Sequence, residues 1–110
     1  MHTVSETNYY VSRAEKLLTA TERDEVIDLL ACDPLAGDLI QGTGGIRKIR
    51  FAKEGRGKSG GVRVLYYFYN ENAPIFLLEI FGKNEKANLT KAERNTLAQG
   101  VIRLKKGLRT

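Results

Sequence analysis

Three strand-forming runs lie between Ile46 and Phe81, separated by residues that cannot continue a strand, and they leave the chain few ways to fold. Residues 46–53 alternate, placing Ile49 and Phe51 on one face and Lys48 and Arg50 on the other. Residues 62–69 (VRVLYYFY) and 75–81 (IFLLEIF) are rich in β-branched and aromatic side chains and read as central strands. Asn70-Glu71-Asn72-Ala73-Pro74 turns the chain between these two. Gly55, Gly57, Gly60 and Gly61 mark the loop joining the first run to the second, long and flexible enough to move with a ligand.

Helices flank this sheet. Val11, Ala14, Leu17 and Leu18 recur at helical spacing and predict a helix from about Asn8 to Leu18. The residues before it are weakly structured at best, with a short strand around His2–Val4. Thr21 reads as the N-cap of a second helix, with Glu22, Asp24 and Glu25 near the positive end of its dipole. Val26, Ile27, Leu29, Leu30 and Ala31 form its buried face, and Asp33-Pro34 ends it because the residue before proline is pushed out of the α region. Thr90 and Glu93 form a capping box, followed by an amphipathic helix built on Leu97, Val101, Leu104 and Leu108. Its outer face carries Lys91, Arg94, Arg103, Lys105, Lys106 and Arg109. The expected fold is therefore α+β: an N-terminal helix pair, a mainly antiparallel sheet with three central strands, and a C-terminal helix. A chain of 110 residues is long enough for one core and too short for two, so residues 1–110 are expected to form a single domain.

Charge is unevenly spread. The formal net charge is +5, but residues 1–45 carry three bases against eight acids, whereas residues 46–110 carry fifteen bases against five. Such asymmetry points to one basic face for a polyanion. From Gly42 to Tyr69 the bases Arg47, Lys48, Arg50, Lys53, Arg56, Lys58 and Arg63 meet a single acid, Glu54. The lone cysteine, Cys32, excludes an intrachain disulfide and fits a reducing compartment; its apolar setting (LLACDP) predicts a buried structural thiol. No run approaches the length of a membrane span and no signal pattern opens the chain, so a cytoplasmic location is expected.

Several chemistries are disfavoured. The one histidine, His2, sits at a terminus and reads as an ordinary solvated residue, and no cysteine or histidine cluster suits zinc. No paired-carboxylate pattern lies in the basic half, which argues against two-metal nuclease chemistry. The glycines of GTGG and GRGKSGG resemble phosphate loops, but GKS lacks the first glycine of a P-loop and precedes a strand. No cofactor is called for. What remains is chemistry by lysine and arginine, in which the 2′-hydroxyl of RNA attacks the adjacent phosphate and cations hold the developing charge. Lys48 and Arg50 share a face, Arg63 comes from the adjacent strand, and Lys83 lies just past the third. Strand alternation puts at least two of Tyr66, Tyr67, Phe68 and Tyr69 in the core and leaves Tyr67 and Tyr69 on the side of Arg63. These residues alone leave open RNA cleavage, RNA binding without cleavage, and a plain solvated surface.

The run GTGGIRKIR, then GKSGGVR and GKNE, closely resembles the RelE/HigB group of toxins from type II toxin–antitoxin systems, in the RelE/ParE superfamily. The match is strong from about Asp33 to Thr90 and extends to the flanking helices by order only. The resemblance implies a ribosome-dependent mRNA interferase, an endoribonuclease that cuts translated mRNA in the ribosomal A site without metal and leaves a 2′,3′-cyclic phosphate. It assigns catalytic roles to Lys48, Arg50, Arg63 and Lys83. Arg47, Lys53, Arg56, Lys58 and Lys86 are then expected to grip RNA or the ribosome, and Tyr67 to stack on a base. It also implies a monomer when free and a complex with a cognate antitoxin, a small DNA-binding protein. The chain departs from the family pattern at Asn84, where related toxins place a further catalytic arginine, and near Leu89 and Thr90, where some carry a tyrosine. A ParE-like inhibitor of DNA gyrase and a non-catalytic RNA- or ribosome-binding module are the alternatives.

Overall fold

In the computed structural model, residues 2–52, 61–82, 85 and 88–109 are described. The elements run β1 (Val4–Glu6), α1 (Asn8–Leu17), α2 (Ala20–Cys32), β2 (Asp38–Leu39), β3 (Ile46–Phe51), β4 (Val62–Tyr67), β5 (Ile75–Gly82) and α3 (Lys91–Arg109). The strands form one five-stranded sheet in the order β1-β5-β4-β3-β2. All neighbours are antiparallel except β1, which lies parallel to β5. The three expected central strands are thus present, extended at each edge by a short strand.

The N-terminus is more ordered than its composition suggests. Ile75 donates its N–H to Thr3 O at 2.8 Å, and Val4 pairs with Ile75 in the parallel register. Thr7 caps α1 by accepting from Tyr10 N, and its hydroxyl donates to Leu77 O at 2.9 Å, fixing the start of the helix to β5. The strand falls at Val4–Glu6, two residues later than the pattern around His2–Val4 suggested. His2 itself rests edge-on against Phe68, with ring centroids 5.3 Å apart.

The second helix begins at Thr19, not Thr21. Thr19 Oγ1 accepts from Glu22 N at 3.1 Å while Glu22 Oε1 accepts from Thr19 N at 2.8 Å. This reciprocal pair satisfies two end groups at once, an advantage Thr21 cannot match from inside the first turn. Val26 and Leu30, four apart, define the buried stripe, with Ala31 beside them. Cys32 falls off that stripe and is exposed, contrary to the expected buried thiol. Leu29, likewise on the outer flank, is also exposed.

The sheet is covered on both faces, which explains why VRVLYYFY and IFLLEIF are apolar almost throughout. On one face α1 and α2 bury Val62, Val64, Tyr66, Ile75, Leu77 and Ile80 with Tyr10, Ala14 and Leu30. On the other, Ile46, Leu65, Tyr67 and Phe81 pack with Val101 of α3, joined by Leu97 and Leu104. An irregularity in the β4–β5 ladder opposite Leu65/Tyr66 sets the faces of β5. Ile75 and Leu77 before it and Ile80 after it all join the helix-pair core, while Phe81 joins the other. A regular strand could not do this, because 77 and 80 differ in parity; a bulge shifts the alternation by one.

Candidate phosphate-binding and cleavage site

The GTGG turn between β2 and β3 positions the basic strand. Thr43 is fully buried; its hydroxyl donates to Ile40 O at 2.7 Å and accepts from Ile46 N at 3.1 Å, forming a knot that closes the hairpin. Gly42, Gly44 and Gly45 all have positive φ. At Gly45 a side chain would also approach the Tyr67 ring to 3.1 Å, so the position is restricted both by conformation and by space. The glycines shape a turn that aims β3.

From that turn, β3 runs antiparallel to β4 with Lys48 opposite Leu65 and Arg50 opposite Arg63. Directly opposed residues share a face. Lys48, Arg50 and Arg63 therefore lie together on the α3 side of the sheet; the spacing predicted the shared face of Lys48 and Arg50, and the register adds Arg63. The next residue across from Arg63 on β5 is Phe81, which gives the cations an apolar neighbour. Glu79 stands opposite Leu65, in the same cross-strand row as Lys48. That carboxylate was invisible to a search for paired acids, because only strand register brings it there.

Like charges directly opposite one another destabilise a sheet. The Arg50–Arg63 pairing sets two like charges opposite each other, a juxtaposition that an anion between them would relieve. Arg63 is half-buried, and its Nη1 is buried with no hydrogen-bond partner among the described residues. A buried guanidinium nitrogen left without a partner is an unmet donor, a costly state for a native fold.

Other expected residues fall elsewhere. Arg47 projects to the opposite face, where its Nη1 donates to Gly37 O at 2.6 Å and to Leu35 O at 3.5 Å, bracing the α2–β2 connection. The same connection is held by Tyr66, whose hydroxyl accepts from Gly37 N and donates to Pro34 O, both at 2.8 Å. Burial raises the Tyr66 pKa, partly offset by its bond from Gly37 N. Gly37 is needed for this approach: a Cβ there would come within 2.9 Å of both Lys48 O and the Tyr66 ring.

Tyr67 does lie on the side of Arg63, but it is only 2% exposed, in the core beside Ile46 and Val101, with Tyr69 tilted against it at 6.4 Å. In this arrangement it presents no face on which a base could stack. Lys53, Arg56, Lys58, Lys83, Asn84 and Lys86 lie outside the described residues. Glu85 is described: its Oε1 accepts from Gly82 N at 3.1 Å, and it pairs with Arg13 of α1, which ties the exit of β5 to the helix pair.

The RelE family model (RelE toxin of the RelE/RelB toxin–antitoxin system) matches residues 11–106. This chain belongs to the RelE toxin family. The fold is that of a solved RelE: a free-state structure of the E. coli toxin RelE carrying two arginine-to-alanine substitutions aligns with a TM-score of 0.57 and 15% sequence identity, covering 78% of this chain and 87% of that one. A shared fold at so low an identity places the elements and nothing finer. Among the described residues no helix is long and apolar enough to cross a membrane.

Proposed function

We propose that this RelE-family toxin is a ribosome-dependent mRNA interferase that cuts translated mRNA by metal-free attack of a 2′-hydroxyl on the adjacent phosphate. The observation that carries the reading is the pairing of Arg50 with Arg63 beside Lys48, with Arg63 Nη1 buried and without a partner among the described residues. In the reaction the 2′-oxygen forms a bond to phosphorus, the bond to the 5′-oxygen breaks, and a 2′,3′-cyclic phosphate remains. Arg50 and Arg63 would hold the non-bridging oxygens as charge builds, since a guanidinium reaches two oxygens and stays charged. Lysine nitrogens at Lys48 and Lys83 would serve the proton leaving the 2′-hydroxyl and the proton reaching the 5′-oxygen. Arg47, Lys53, Arg56, Lys58, Lys86 and Tyr67 were expected at the RNA or ribosome. Of these the loop cations keep that role in the proposal. The engaged guanidinium of Arg47 and the buried ring of Tyr67 favour supporting roles instead.

In this reading all of residues 1–110 act as one cytoplasmic toxin unit, monomeric when free. The cognate antitoxin would bring an acidic segment to the basic face, with electrostatic attraction speeding encounter. The test is a cell-free translation reaction on a defined message, with 5′ ends mapped by primer extension. Discrete cuts in translated codons are expected with the wild type and not when ribosomes are omitted. Arg63→Ala should cut at least ~10²-fold more slowly, the scale for removing one transition-state charge contact. An intact message in cells whose growth still stops would instead point to another target, DNA gyrase first.

A further inference from the structure

Beside the cation platform, Lys48 helps line a cavity of about 240 Å³ between the β2–β3 hairpin and the start of α3. Phe81 and Leu89 give it apolar walls; Asp38, Lys48, Asn88 and Arg94 supply polar groups. Asp38 and Lys48 face each other across the β2–β3 ladder, yet no ion pair joins them. None of these four side chains has a hydrogen bond or salt bridge among the described residues. Four uncommitted polar side chains converging on an apolar-walled cleft is the arrangement of a ligand site. Its volume lies below the roughly 300–1,000 Å³ of sites for drug-sized ligands, which suits a single nucleobase.

Arg94 also lines a second cavity of about 360 Å³, with Gln41, Lys91 and Asn95. Cations and cavities thus alternate: Arg50 and Arg63, then Lys48 and the first cavity, then Arg94 and the second cavity with Lys91. A single RNA strand alternates phosphate and base in the same way. A larger cavity of about 500 Å³, against the β1 edge, is lined by His2, Thr3 and residues 71–74 and carries no lysine or arginine, so it has nothing to meet a phosphate.

We propose that the cavity formed by Asp38, Lys48, Phe81, Asn88, Leu89 and Arg94 is a nucleobase subsite selective for guanine, with Arg94 taking the phosphate attached to that nucleotide. That its natural occupant is mRNA rests on the interferase reading above. The base preference follows from donor and acceptor chemistry. An ionised carboxylate only accepts hydrogen bonds. Guanine offers two neighbouring N–H donors on its Watson–Crick edge, which Asp38 can accept together, and its carbonyl oxygen can accept from Asn88 or Lys48. Uracil offers one N–H flanked by two carbonyls, which set oxygen against the carboxylate. Asp38 comes from the acidic half of the chain and Asn88, fifty residues later, from the basic half, which is why no sequence motif joins them.

Two measurements test this. First, guanosine 5′-monophosphate and uridine 5′-monophosphate are titrated separately into the full chain while backbone amide shifts are followed. The wild type should bind the guanine nucleotide about ten-fold or more tightly than the uracil one, the scale of one bidentate base contact. Asp38→Asn should abolish that preference, and Arg94→Ala should weaken both nucleotides alike. Equal affinities for the two nucleotides, or a preference unchanged in Asp38→Asn, would overturn the subsite. Second, cleavage positions are mapped for both proteins in translation reactions. Wild-type cuts should cluster at one fixed offset from guanines, and Asp38→Asn should flatten that distribution. Identical maps from the two proteins would sink the subsite and leave the interferase standing. No cleavage by the wild type would remove the interferase, and the nucleotide titration would then decide the subsite alone.

Discussion

The two faces of the central sheet are built to different standards. Against α1 and α2, the inward residues of β4 and β5 are all apolar, and Val64, Tyr66, Ile75, Leu77 and Ile80 are fully buried. Against α3, the apolar set is smaller, and at one end of β3 and β4 it gives way to Lys48, Arg50 and Arg63. The first face holds the fold together. The second gives up part of its core so that three cations stand side by side on a rigid surface, and the like-charged pair Arg50–Arg63 makes that surface costly. Stability and proposed chemistry are thus separated by the thickness of one sheet.

The largest effect expected from this contrast lies on the helix-pair face. Leu30→Ala should lower unfolding free energy by about 2–5 kcal/mol, the range for truncating a fully buried leucine, with cleavage per folded molecule unchanged. Urea denaturation beside a translation assay would show it. A loss of specific activity in the molecules that remain folded would break the separation. On the other face, the Arg63→Ala loss of at least ~10²-fold in cleavage corresponds to about 2.7 kcal/mol of barrier, and it should come with little change in the unfolding midpoint. Arg50→Thr should go further and move the two quantities in opposite directions. Relief of the cross-strand repulsion should raise stability by about 0.2–1 kcal/mol while cleavage falls. A destabilised Arg50→Thr would show that the other contacts of Arg50 outweigh the repulsion.

The smallest effect concerns Tyr10, in the core of the helix-pair face. Burial, and next the Glu6 carboxylate, raise its pKa from 10.0 to about 12, with Arg23 acting the other way. The unfolded chain therefore loses this proton at lower pH than the folded one. The associated stability is present below pH 10 and disappears as pH rises through about 12. Unfolding midpoints should fall over that window in the wild type and more gently in Tyr10→Phe. Near neutral pH the substitution should change little, since the Tyr10 hydroxyl has no hydrogen-bond partner among the described residues. A large loss at pH 7 would mean that the hydroxyl is engaged after all.

Much of this protein was legible because local chemistry repeats along the chain. The period of two in residues 46–53 placed Lys48 and Arg50 on one face without reference to anything distant. The Thr90–Glu93 capping box marked the start of α3, and both of its hydrogen bonds are present, at 2.9 and 3.1 Å. The same logic failed where two local signals competed. Thr21 has acids after it, but Thr19 has Glu22 at the one spacing that satisfies two end groups together. Cys32 was misread because an apolar stretch of sequence does not say which side of the helix meets the core. Tyr67 was placed on the correct side of its strand, yet it is buried there, because both sides of this sheet are covered.

The sequence by itself determined the order of the main helices and strands, the basic strand and the cap of α3, since these depend on neighbours within a few residues. Tertiary structure alone decided what meets what. Strand register put Arg63 against Arg50 and Glu79 in the row of Lys48. A bulge turned Phe81 toward the cations, and the seating of α3 brought Arg94 and Asn88 to a cavity shared with Asp38. Those relations join residues far apart in the chain, and they are fixed by which faces must be buried together, a condition that no local pattern records.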